Sequence, residues 1–122
     1  MKRINIETAK LTKEIGYDLG ACNKYYYDGI IKSSKILLQD INNCYPAPYQ
    51  AELQEWLRNK HGIIVLVEYC KFYEVPWSAC IQKLQDDFIE DYHNFTNYEE
   101  ALEQGLQEAL KLIKNEQYDE NP

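Results

Sequence analysis

The chain is poor in the residues and patterns that most often announce chemistry. It holds two histidines, one methionine and five glycines in 122 residues. There is no GxSxG elbow, no phosphate-binding P-loop and no GxGxxG turn, so hydrolase, nucleotide and dinucleotide functions lack their usual signatures. The alternating Asp/Asn and turn glycine of a calcium loop are missing, and no HxxxH pair offers a zinc site. The sequence therefore calls for no metal and no cofactor. No apolar run approaches the roughly 18 residues that span a bilayer, which argues against a membrane partner. Lys2 and Arg3 stand near the start without an apolar stretch behind them, so no secretory signal is expected. Four cysteines (Cys22, Cys44, Cys70, Cys80) lie 22, 26 and 10 positions apart with no Cys-x-x-Cys pair. Without an export signal, they are expected as thiols packed like small apolar residues in a cytoplasmic protein.

What is present is acid, tyrosine and helical periodicity. Thirteen Lys/Arg stand against twenty Asp/Glu, a net charge of −7. The imbalance is uneven: residues 1–47 hold seven basic and five acidic side chains, residues 48–114 six and twelve. An acidic surface repels phosphate backbones, which disfavours direct nucleic-acid binding. It suits solubility, a basic protein partner, or mimicry of DNA charge.

The spacing of Ile4, Thr8, Leu11 and Ile15 predicts a first helix, with Asn5 as its N-cap and Gly16 ending it. From Cys22 to Leu38 the sequence reads as a hairpin. Tyr25-Tyr26-Tyr27 has high strand propensity, Asp28-Gly29 suits a type I′ turn, and Ile30-Ile31 begins a return strand that Ile36-Leu37-Leu38 continues. Gln39 to Pro48 is read as a loop. Pro48 fits the first position of a second helix whose face is Tyr49, Leu53, Trp56, Leu57 and Lys60. Ile63 to Phe72 and Trp77 to Leu84 read as paired strands around a Val75-Pro76 turn. Pairing Tyr73 with Trp77 would set Cys70 opposite Cys80, whereas a one-residue slip would turn them to opposite faces. Residues 85–95 form an acidic, aromatic connector with room for another short strand. In the last helix Tyr98, Ala101, Leu102, Gly105, Leu106, Ala109, Leu110 and Ile113 keep the helical period behind a capping box. Its Gly105 is expected to admit a close approach to the sheet. The expected architecture is α+β: helix, hairpin, helix, hairpin, helix, with about four antiparallel strands and the helices on one face. Residues 1–114 are taken as a single domain and 115–122 as a polar, disordered tail.

Two blocks carry a resemblance. Pro48-Tyr49-Gln50 with Trp56-Leu57-Arg58-Asn59-Lys60-His61-Gly62-Ile63 resembles the "APTYQQ…WLREKHxI" motif of small uncharacterised proteins from prophage and mobile-element regions of gut anaerobic bacteria. Tyr98-Glu99-Glu100-Ala101-Leu102-Glu103 with Glu108-Ala109-Leu110-Lys111-Leu112-Ile113 is similar to that family's "YEEALE…EALKLI" ending. The resemblance implies a provenance and a shared fold, but no catalytic residues. The chain departs from the motif at Ala51, where the family has a second Gln.

His61 closes the second helix and reads as a C-terminal cap rather than a base or ligand. His93 lies among Asp86, Asp87, Glu90 and Asp91, where a metal site competes with a solvated acidic loop, the favoured reading. Cysteine catalysis would need a spatial pairing that spacing does not reveal. Tyrosine is abundant, with eleven copies. Tyr25, Tyr26 and Tyr27 could pack, anchor a protein interface, or stack on bases. The surface proposed for interaction is thus Tyr25, Tyr26, Tyr27, Asp86, Asp87, Glu90 and Asp91. The function expected is a non-enzymatic binding or accessory protein acting through a protein partner or its own copy. The alternative is an acidic, DNA-mimicking inhibitor of a nucleic-acid enzyme.

Overall fold

A computed structural model of the chain describes residues 1–18, 22–33 and 41–119. It is α+β, with three α-helices and two antiparallel three-stranded sheets among the described residues. The elements are α1 (Ile6–Glu14), β1 (Lys24–Tyr27), β2 (Ile30–Ser33), β3 (Cys44–Pro46), α2 (Gln50–His61), β4 (Ile63–Tyr69), β5 (Trp77–Lys83), β6 (Ile89–Phe95) and α3 (Tyr98–Asp119). The expected count of about four strands is therefore corrected to six, and the helix-hairpin alternation fails in two places. The segment Gln39–Pro48, read as loop, contains β3, and the acidic connector contains the seven-residue β6. The continuation at Ile36-Leu37-Leu38 lies outside the described residues. The chain divides into two compact units: residues 1–49 with 110–122, and residues 50–109.

In the first unit, Asn5 caps α1 as expected: its Oδ1 accepts hydrogen bonds from the Thr8 backbone N–H and hydroxyl, both at 2.9 Å. Of the predicted stripe Ile4, Thr8 and Ile15 are buried, and the buried face is wider than that stripe. Thr8, Ala9 and Thr12 are buried while Leu11 is half-buried. Two threonines fit there because the Thr12 hydroxyl donates to the Thr8 carbonyl at 2.7 Å, leaving its methyl to pack. Asp28 and Gly29 both take positive φ, 55° and 74°, as a type I′ turn requires. They join β1 to β2, with Tyr27 paired to Ile30. On the other side β1 pairs with β3, Tyr26 facing Tyr45. Pro46 is tolerated because β3 is an edge strand.

The second unit begins at α2. Pro48 does not open this helix; it stays outside it, and its carbonyl accepts from the Ile4 N–H at 3.0 Å. Leu53 and Leu57 are fully buried, whereas Trp56 is half-buried and Lys60 exposed. The sheet order is β4-β5-β6. Tyr69 pairs with Trp77, so Leu66 and not Cys70 stands opposite Cys80. Strand alternation then places Val65, Ala79 and Ile81 on one face, and α3 covers it. A Cβ built on Gly105 would lie 2.8 Å from Val65 Cγ1 and 3.0 Å from the Ala79 Cβ, which is the close approach the sequence suggested. Leu102, Leu106 and Leu110 are buried. The opposite face, with Leu66 and Ile89, is open to solvent. Asn97 caps α3 by accepting from the Glu100 N–H at 2.8 Å, while the Glu100 carboxylate reaches back to Thr96 rather than to Asn97. The helix runs past Lys114 to Asp119, beyond the point where a disordered tail was expected.

Candidate binding surface

The proposed interaction residues fall into different units and have different environments. Tyr25 is buried, and its hydroxyl donates to the Cys22 carbonyl at 2.7 Å. Burial also pushes its phenol pKa up. Tyr26 donates to the Ile4 carbonyl at 2.6 Å. Only Tyr27 turns toward a groove, of about 360 Å³, that it lines with Ile6, Lys10, Asn43 and Tyr45. Short β1 is the middle strand of its sheet, so both of its edges are paired. Of the tyrosine triplet, Tyr25 is thus taken up inside the fold, while Tyr26 and Tyr27 stay half-buried.

The acids are brought together. Asp86 and Asp87 occupy the β5–β6 turn, where Asp86 Oδ1 accepts from the Phe88 N–H at 2.9 Å. Lys83 Nζ lies 4.0 Å from the other Asp86 oxygen. Glu90 and Asp91 follow on β6, an edge strand. All four are exposed. Carboxylates on an edge strand discourage further strand pairing and leave a negative rim. Inside that rim, burial together with Glu108 and Glu90 pushes the Tyr92 phenol up to about 12. Burial and a hydrogen bond to Asp91 push the Cys80 thiol up, keeping it protonated and a poor nucleophile.

His93 lines a depression that spacing could not reveal. Trp77 pairs with Phe95, but Ala79 pairs with Tyr92, so Ser78 faces both His93 and Asn94. The extra residue is a β-bulge, and Asn94 absorbs it with φ at 73°. Asparagine is among the few residues that enter the left-handed region at low cost. Beside the bulge, Tyr73, Val75, Pro76, Trp77, Ser78, His93 and Asn94 line a hollow of about 250 Å³. Its lining holds no cysteine and no carboxylate. Trp77 packs edge-on against Tyr69 at 5.0 Å and Tyr98 at 5.9 Å between ring centres. Around this rigid set, Tyr69, Phe72 and Tyr73 are 61%, 85% and 65% exposed, a concentration of apolar surface at one end of the sheet. Sequence reasoning missed this end because it ran the strand on to Phe72 and could not place the bulge.

His61 ends α2 as expected, but not through a cap made by Nε2. That atom is buried without a hydrogen-bond partner, and the ring packs edge-on against Trp56 at 4.8 Å. Burial, then the charge of Lys60, lowers its pKa, so the ring is neutral. Gln50 is buried and bridges to α3. Its Nε2 donates to the Glu99 carbonyl at 3.0 Å and to Glu103 Oε1 at 2.9 Å.

Among the described residues no group of three His, Cys, Asp or Glu is placed to hold a metal ion. None of the described helices is long and apolar enough to cross a membrane. No protein-family model, curated protein or solved structure matches the chain.

Proposed function

We propose that this chain is a non-catalytic protein-binding module that takes a positively charged partner on the unit formed by residues 50–109. The observation that carries this reading is the concentration of charge. That unit holds four Lys/Arg against twelve Asp/Glu, and Asp86, Asp87, Glu90 and Asp91 are exposed along one turn and one sheet edge. Such a field steers a cationic partner and rejects anionic ones. The exposed aromatics at the end of the same sheet supply large, stiff contact area of the kind that anchors interfaces. An accessory protein of a mobile element, as the resemblance implies, fits this role and a cytoplasmic setting.

The DNA-mimic alternative draws on the same acids. It is the weaker reading, because Glu90 and Asp91 alternate across β6 and so do not extend one row of charges. A copy of the chain is the other candidate partner. Exposed Ile30 and Ile31 on edge strand β2 favour it, and Lys32 between the paired edges opposes it.

The test is binding of the full chain to short basic and acidic peptides by calorimetry, repeated as salt is raised. The basic peptide should bind, weaken steeply with salt, and lose about tenfold in affinity when Asp86, Asp87, Glu90 and Asp91 become amides. Equal affinity of the amide variant would sink the reading.

A further inference from the structure

We infer that the hollow at the β5–β6 bulge is the subsite for an arginine side chain of that partner, a step that rests on the basic-partner reading above. Size comes first. At about 250 Å³ the hollow is smaller than the roughly 300–1,000 Å³ of small-molecule sites, so it suits one side chain rather than a free ligand. Its chemistry comes second. Trp77 and Tyr73 give aromatic walls, and aromatic faces attract cations through their quadrupole.

Charge is the third argument. No lysine or arginine is among the lining residues, whose titratable member is His93, and two carboxylate residues neighbour that lining. Glu68 pairs with Ser78 across the strands, and Glu74 sits between Tyr73 and Val75 in the 70–76 turn; both are exposed. The nearest cation along the turn, Lys71, is already held 5.4 Å above the Phe72 ring. The surroundings therefore carry negative charge and π-faces, with no lysine or arginine inside. Arginine fits better than lysine, because its planar guanidinium stacks on rings and gives up water more readily. Its donors can also reach a carboxylate at the rim while the plane lies on an indole.

The hollow is preformed. Trp77 is held on two sides by Tyr69 and Tyr98, and the bulge fixes Ser78 against His93 and Asn94. A ligand side chain then has little ordering to impose on the protein.

The experiment is a titration of the isotope-labelled full chain with a short Arg/Ala peptide, followed by amide NMR. Matched peptides carry lysine or citrulline, the neutral isostere, in place of arginine. The expected result is saturable movement of the Ser78, His93 and Asn94 amides and the Trp77 indole. Citrulline should bind about tenfold more weakly, and so should the Trp77→Leu variant. Should that variant fold poorly, Tyr73→Ala, at an exposed position, is expected to weaken binding several-fold and serves instead. If the arginine peptide moves only the signals of Asp86, Asp87, Glu90 and Asp91, the subsite is overturned while the basic-partner reading stands. Absence of binding at low salt overturns both. Equal affinity for citrulline overturns the cation assignment, and equal affinity for lysine overturns the choice of arginine.

Discussion

Replacing Gly105 by alanine sets two known effects against each other at one atom. In an exposed helix the change would stabilise by about 1 kcal/mol, because glycine loses the most backbone freedom on folding. Here the new methyl would sit 2.8 Å from Val65 Cγ1 and 3.0 Å from the Ala79 Cβ. Neither neighbour yields cheaply. Val65 is β-branched and stiff about its first torsion, and the Ala79 Cβ moves only if strand β5 moves. Overpacking of this kind costs about 1–3 kcal/mol, and two unyielding neighbours place it in the upper part, about 2–3 kcal/mol, so the expected net effect is a loss of about 1–2 kcal/mol. Urea unfolding of the parent and Gly105→Ala proteins, compared at equal slope, measures it. Pairing the substitution with Val65→Ala removes the nearer clash. The double variant should then be more stable than the sum of the single losses by about 1 kcal/mol. A Gly105→Ala protein as stable as the parent, or more so, would show that α3 does not lie on the β4–β5 face at this distance.

Gln50→Ala removes the amide that bridges Glu99 and Glu103. It should cost about 1.5–3 kcal/mol in the same unfolding assay, since one bond is to a buried charged group. Asn97→Ala deletes the α3 cap and should cost about 0.5–2 kcal/mol, with Asn97→Gly milder. Tyr92 ionises late, at about 12 against an ordinary 10.0. The folded state holds that proton longer than the unfolded chain, so its contribution to stability is present below pH 10 and is lost between about 10 and 12. Ultraviolet titration of the parent minus Tyr92→Phe should isolate a phenol rising in that window, and a difference curve centred near 10 would refute the assignment. Cys70 is half-buried and Cys80 is buried with its thiol pushed up. Native alkylation should therefore modify Cys70 about tenfold faster or more, as peptide mapping would reveal.

Much of the helical framework was legible in the residues. Asn5, the Asp28-Gly29 pair and the Asn97/Glu100 spacing act through the backbone within a few positions, so their effects need no tertiary partner. The long leucine stripe of α3 is similarly local, which is why its extent was readable apart from its C-terminal end. Strands β3 and β6 were harder. Three residues ending in proline carry no periodic signal, and β6 mixes two adjacent acids with polar and aromatic residues at an edge, where one face and one side stay wet. The buried face of α1 takes in Thr12 as well as the predicted stripe because a threonine can satisfy its own hydroxyl on the preceding turn.

The candidate surface divides in the same way. Composition and order along the chain determined that residues 50–109 are acidic and that the acids cluster between residues 86 and 91, because charge is additive and indifferent to packing. Tertiary structure alone decided that Tyr25 is committed inward, that Leu66 and not Cys70 faces Cys80, and that one extra residue on β6 opens a hollow beside Trp77. Those outcomes depend on strand register, in which a shift of one residue exchanges the two faces of a sheet. Register is chosen by the whole packed assembly rather than by any short run of side chains.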